Sequence, residues 1–125
     1  MQQIRNPSNI IVCGGDVGIR SAIIEKIRLS YPDAVCHENF NPVTGSRILR
    51  NKDTINIFNL DHYNAIMPEI RNTVDIWVFA KPAELDLFIR SQFNVISAEA
   101  RAQARILLKQ NDPIFYTTTT QLFSI

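Results

Sequence analysis

The stretch "IIVCGGDVGIRSAIIEKI", residues 10–27, constrains this chain more than any other. Residues 10–13 form a short, continuous apolar run, the mark of a strand buried on both faces as in a parallel sheet. Gly14, Gly15 and Gly18 follow at once, and Asp16 between them is a residue type that caps helices. Beyond the glycines, Ile19, Ile23, Ile27 and Tyr31 recur every four residues, while Arg20, Lys26 and Arg28 fall elsewhere. That spacing predicts a helix with one apolar stripe and its basic residues in solvent. A buried strand turned through a glycine elbow into a helix is the opening unit of an α/β domain.

The remaining pattern continues the alternation. Pro32 ends the first helix, residues 34–38 read as a second strand, residues 42–51 as a short helix or loop, and residues 54–60 as a third strand. Residues 62–72 carry Ile66 and Ile70 four apart and predict a short helix before another buried strand at 74–80, "VDIWVFA". Pro82 opens a helical stretch over residues 83–110, divided near 94–97, whose second piece packs through its alanines and carries Arg101, Arg105 and Lys109 on one face. "NDP" at 111–113 is a turn, and "IFYTTTT" at 114–120 has the β-branched and aromatic content of a last strand. The expected fold is a three-layer, Rossmann-like α/β domain. Its mainly parallel sheet has five or six strands and helices on both faces, spans residues 10–125, and follows an extension at 1–9.

Composition narrows the partners. A chain of 125 residues, 46% of them apolar, is one domain with enough material for a core. Thirteen basic against twelve acidic side chains leave a net charge of +1, which provides no global field for nucleic acid or an anionic membrane. Cys13 and Cys36 lie in apolar stretches without metal-ligand spacing, so buried, reduced thiols and a cytoplasmic setting are expected. No run of eighteen apolar residues and no signal-peptide pattern is found, so no direct membrane span is expected.

In such sheets ligands bind at the carboxyl ends of strands, where the elbow lies. A dinucleotide fingerprint, G-x-G-x-x-G, reads here Cys13, Gly14, Gly15, Asp16, Val17, Gly18. The second and third glycines are present and the first is replaced. Glu38, twenty residues past Gly18, stands where an acidic side chain accepts hydrogen bonds from a ribose. Asp16 opposes that reading, because its charge sits beside the amides and helix dipole that would hold a phosphate. As an alternative to any ligand role, Asp16 is a plain helix cap and Gly18 a packing glycine. "GGDVGIRS" departs from a Walker A loop in having Ile19 for glycine and Arg20 for lysine. A thiol phosphatase fails as well, since six residues rather than five separate Cys13 from Arg20-Ser21.

A resemblance covers nearly the entire chain. "NIIVCGGDVG", "CHENFNP", "INIFNLD", "IMPEIRNTVDIWVFA" and "SAEARAQARILLKQNDPIFYTTTTQL" resemble successive strands, turns and helices of RCK domains. These regulators of potassium conductance, also called TrkA-N type, include the domains of large-conductance calcium-activated channels. The resemblance implies a non-catalytic ligand-sensing module that assembles with itself or with a potassium channel or transporter subunit at the cytoplasmic face of the membrane. Family members that bind a nucleotide such as NAD hold it on the glycine loop, which carries over to Gly14, Gly15, Gly18 and Glu38. Cys13 and Asp16 depart from the nucleotide-binding pattern, and Asp61 lies where it can replace the family's usual acid or cap a helix. The family's dimerising helices and second lobe have no counterpart in these residues, which implies a piece of a larger protein or a stand-alone subunit.

Other residues carry less chemistry. His37 and His62 lack acid or cysteine partners at ligand spacing, Trp77 belongs in the core, and no nucleophile, base and oxyanion hole come together. Two further functions stay open beside the regulatory one: an NAD(H)- or adenine-nucleotide-binding Rossmann domain, and a receiver-like signalling domain phosphorylated at Asp61.

Overall fold

A computed structural model describes residues 4–38, 47–48, 53–61, 73–80, 97–109, 114–117 and 122–124. Within them the chain forms strands β1 (Ser8–Cys13), β2 (Val35–His37), β3 (Ile55–Leu60), β4 (Ile76–Phe79), β5 (Ile114–Thr117) and β6 (Leu122–Ser124), with helices α1 (Val17–Ser30) and α2 (Ala98–Lys109). The short helix or loop expected at 42–51, the short helix at 62–72, the 83–96 part of the helical stretch, the turn at 111–113 and Thr118 to Thr120 fall outside the described residues, apart from Arg47 and Ile48, which are helical.

The six strands form one sheet in the order β2-β3-β1-β4-β5-β6. β1 pairs in parallel with β3 and with β4, and β2 pairs in parallel with β3. β5 and β6 add antiparallel to β4 and to one another, so the expected single last strand is an antiparallel pair. An α/β domain built on a four-stranded parallel sheet is therefore observed.

The apolar run at 10–13 is what places β1 at the centre. Ile10 to Cys13 are fully buried between Ile57 to Leu60 on one side and Ile76 to Phe79 on the other. β1 also starts earlier than its apolar run, at Ser8, and Ile4 is buried in the core. Alternation divides the side chains between the two faces. Ile10, Val12, Ile55, Ile57, Ile76 and Val78 pack with Ile23, Ile24 and Ile27 of α1. Ile11, Cys13, Phe58, Trp77 and Phe79 lie on the opposite face and are equally buried. Trp77 and Phe79 lie parallel there, 6.0 Å between ring centres.

The buried stripe of α1 is Arg20, Ile23, Ile24 and Ile27, not the expected Ile19, Ile23, Ile27 and Tyr31. Both series fit a helix, and they differ by a small rotation about its axis. The rotation leaves Ile19 at the surface and turns Arg20 inward to 4% exposure. The reason for burying an arginine lies at the carboxyl ends of β1 and β3.

Candidate functional site: the glycine elbow and its buried arginine

From β1 the chain goes to β2 and β3 on one side and then crosses to β4 on the other, so the carboxyl end of β1 is a topological switch point. The elbow sits there. Gly14 and Gly15 have φ of 86° and 65°, a region that glycine adopts without penalty and other residues seldom do. Gly15 also lies hard against the end of β4, where a Cβ would come within 3.3 Å of the Ala80 methyl. The Ala80 amide donates to the Cys13 carbonyl at 3.0 Å and fixes that junction.

Asp16 caps α1, its Oδ1 accepting from the Ile19 amide at 2.9 Å. Gly18 is exposed, and a Cβ there would meet Asp16 Oδ1 at 3.2 Å. Its lack of a side chain makes room for the cap. The third glycine of a dinucleotide fingerprint lets helix and strand pack together, and Gly18 has no such position.

Two consecutive positive-φ residues turn the carbonyls of Gly14 and Gly15 toward the helix, and Arg20 meets them. Its Nη1 donates to Gly14 O at 3.1 Å and to Gly15 O at 2.8 Å. Nε donates to Asn59 Oδ1 at 2.6 Å, and Nη2 to Asp61 Oδ1, also at 2.6 Å. Asn59 and Asp61 are two residues apart at the end of β3, so strand alternation sends both toward the same face. The planar guanidinium spans them while its other end holds the elbow. Asn59 is itself buried, and its Nδ2 donates to Glu38 Oε2 at 3.2 Å. Asp61 differs, since its side chain is 77% exposed while that of Arg20 is 5% exposed.

Glu38 is thus on the same rim as the elbow but not beside β1, because β3 stands between β2 and β1. In the dinucleotide-binding order 3-2-1-4-5-6 the second strand neighbours the first, and this brings the ribose-binding acid to the glycine loop. Here Asn59 fills that neighbouring place, and Glu38 reaches the elbow only through Asn59 and Arg20.

Neither cysteine is poised for nucleophilic work. Cys13 is buried, and Cys36 is half-buried with its thiol 3.4 Å from Glu38 Oε1. Burial, with added contributions from the Glu38 hydrogen bond and charge and some opposition from Arg28, pushes the Cys36 thiol up to about 11. His37 stacks on Phe58, 4.7 Å between ring centres, and its Nε2 lies 3.1 Å from Asn56 Oδ1. His62 is outside the described residues. Among the described residues no cluster of His, Cys, Asp or Glu could hold a metal ion, and no helix is long and apolar enough to cross a membrane. A cavity of about 630 Å³ opens at the opposite rim, lined by Arg5, Ser30, Tyr31, Asp33 and Thr54 among others.

Sequence reasoning singled out Gly14, Gly15, Asp16, Gly18, Glu38 and Asp61, and the fold gathers all six on one rim. It missed Arg20 and Asn59, the two residues that tie the rim together. The available signal was the pair of helical registers, because Arg20, Ile23, Ile24 and Ile27 fit a buried stripe as well as the chosen series. No family model matches the chain, and no curated protein or solved structure matches it.

Proposed function

We propose that this chain is a non-catalytic, ligand-sensing α/β module whose sensing site is the elbow. The observation that supports it most is the buried Arg20, which satisfies the loop carbonyls, Asn59 and Asp61 from within the protein. An elbow braced in this way keeps the scaffold of a phosphate-binding turn. The three-layer, Rossmann-like arrangement and the place of the module on a potassium channel or transporter, at the cytoplasmic face and as a homo-oligomer or channel subunit, rest on the sequence resemblance. The burial of both faces of β1, β3 and β4 agrees with the layered part of that reading.

A second reading, a degenerate phosphate loop that binds a nucleotide, is favoured by two observations. Gly14 to Ser21 occupy the strand-to-helix frame in which such loops lie. In that frame Arg20 stands at the lysine position and returns over the loop to Gly14 and Gly15. NAD in the usual dinucleotide arrangement is less favoured, because β3 separates Glu38 from β1. A receiver-like phosphorylation of Asp61 is less favoured too, since that carboxylate is paired with a guanidinium.

The test is a turnover assay combined with sedimentation. The purified chain is incubated with ATP, GTP or NADH, each with magnesium, and phosphate release or NADH oxidation is followed while oligomeric state is measured. The expected result is no turnover above buffer and an association state that responds to one of the additions. Turnover that is lost in Arg20→Lys would overturn the non-catalytic reading.

A further inference from the structure

We propose that the Arg20 guanidinium is an anion-exchange site in which Asp61 is a built-in, displaceable stand-in for the phosphoryl group of a ligand. This rests on the ligand-sensing reading above and names the chemistry that the site would sense. The first support is the unequal anchoring of the two ion-pair partners. Arg20 is held by three neutral acceptors, Asn59 Oδ1 and the carbonyls of Gly14 and Gly15, none of which depends on Asp61. Asp61 lies one residue past the end of β3, is 77% exposed, and has its Arg20 bond as its one hydrogen bond among the described residues. The cation is fixed and its counter-ion is loosely tethered.

The second support is the chemistry of the guanidinium edge that meets Asp61. Nη2 presents N–H donors at the rim beside the elbow, and a guanidinium binds carboxylate and phosphoryl oxygens with the same geometry. A carboxylate at 2.6 Å from Nη2 shows that this edge accepts an oxyanion at contact distance. A phosphoryl oxygen that takes the place of Asp61 Oδ1 would restore the bond and release the Asp61 side chain into solvent.

Other charges on the rim work against an anion. Asp16 caps α1, and Glu38 lies behind Asn59. Both carboxylates are exposed, so water and salt screen them, whereas the Arg20 contact is made at the edge of a buried group. A magnesium-chelated phosphoryl group would be repelled less than a free one.

Thermal-shift titrations at constant ionic strength test the proposal on the wild-type chain, Asp61→Asn and Arg20→Lys. The probes are inorganic phosphate, ATP and GTP, each with and without magnesium, against chloride and the unphosphorylated nucleosides. Saturable stabilisation by a phosphoryl probe is expected in the wild type, with a midpoint lowered by roughly fivefold in Asp61→Asn, where the internal competitor for the guanidinium is gone. Arg20→Lys, which keeps the charge and loses the fork, is expected to bind more weakly while still unfolding cooperatively. A nucleotide midpoint well below that of phosphate would identify a nucleotide as the source, and equal midpoints would identify free phosphate. No saturable shift in either the wild type or Asp61→Asn, or identical midpoints in the two, would overturn the proposal. In that case the absence of turnover would leave the non-catalytic reading standing. Turnover together with the expected binding would sink that reading and keep the site.

Discussion

Two buried polar networks cross the same parallel sheet, one near each end of its strands, and they are built from different chemistry. Toward the amino end, Asn56 Nδ2 donates to Asn9 Oδ1 at 3.3 Å, Asn9 Nδ2 donates to Thr73 O at 3.1 Å, and the Asn9 amide donates to Asp75 Oδ2 at 2.7 Å. His37 extends this ladder from β2 onto Asn56. The central members are neutral amides, buried at 0% and 4% exposure and braced by neighbouring strands. Toward the carboxyl end, the network is ionic and centred on one buried cation, and its only counter-ion among the described residues is exposed. A ladder whose central members are neutral amides can be closed within the sheet and left there. A buried guanidinium held by neutral acceptors still attracts an anion, and where that anion sits at the surface the site has a replaceable part.

That contrast can be broken by substitution, and Arg20 is where the largest effect is expected. Arg20→Ala strands the carbonyls of Gly14 and Gly15, Asn59 and Asp61 together. It should lower unfolding free energy by about 3–5 kcal/mol in denaturant melts, because several buried or half-buried acceptors lose their donor at about 1–3 kcal/mol each. A loss below about 1 kcal/mol would mean that water replaces the guanidinium freely. Asn56→Leu should cost less, about 1–3 kcal/mol, because it removes the side-chain bonds to Asn9 Oδ1 and His37 Nε2. The double variant Asn9→Leu/Asn56→Leu is expected to lose less than the sum of its two single variants, since apolar groups can replace both ends of a neutral bond. Additive losses would show that the amides act independently.

Asp61→Asn should be the mildest of the three rim and ladder changes, at about 1 kcal/mol or less, because its carboxylate is exposed and screened. A loss as large as that of Arg20→Ala would mean that the pair acts as one buried unit. The smallest effect is expected at Cys36. Its thiol is pushed from 9.0 up to about 11, so the folded chain holds the thiol proton more tightly than the unfolded chain does. The resulting stability is fully present below pH 9 and is lost as pH rises through about 11. Cys36→Ala should therefore flatten the wild-type decline in stability over that window, as read by thermal melts. An unchanged slope would place the titration elsewhere.

Much of the scaffold was legible because burial on both faces writes itself as uninterrupted apolar sequence. Residues 10–13 and 74–80 read as buried strands for that reason, residues 54–60 read as a strand despite two asparagines, and strands are found at Ser8–Cys13, Ile55–Leu60 and Ile76–Phe79. Strand order was less accessible. The alternation of elements fits either neighbour for β1, and the choice of β3 over β2 depends on contacts between segments distant in sequence. Arg20 escaped notice because a charged side chain in a helix is ordinarily solvated, and only the carbonyls exposed by two left-handed glycines make its burial favourable. Asp16, in contrast, was identified as a cap from its residue type and position alone, and it caps.

The most direct measurement is proton exchange at the Arg20 side-chain Nε, followed by NMR in the wild type and in Asp61→Asn. Donation to Asn59 Oδ1 at 2.6 Å inside the protein should slow that exchange far below the rate of a solvated arginine, and to a similar degree in both chains. Loss of protection in Asp61→Asn would contradict the claim, for it would mean that the exposed carboxylate holds the cation in place.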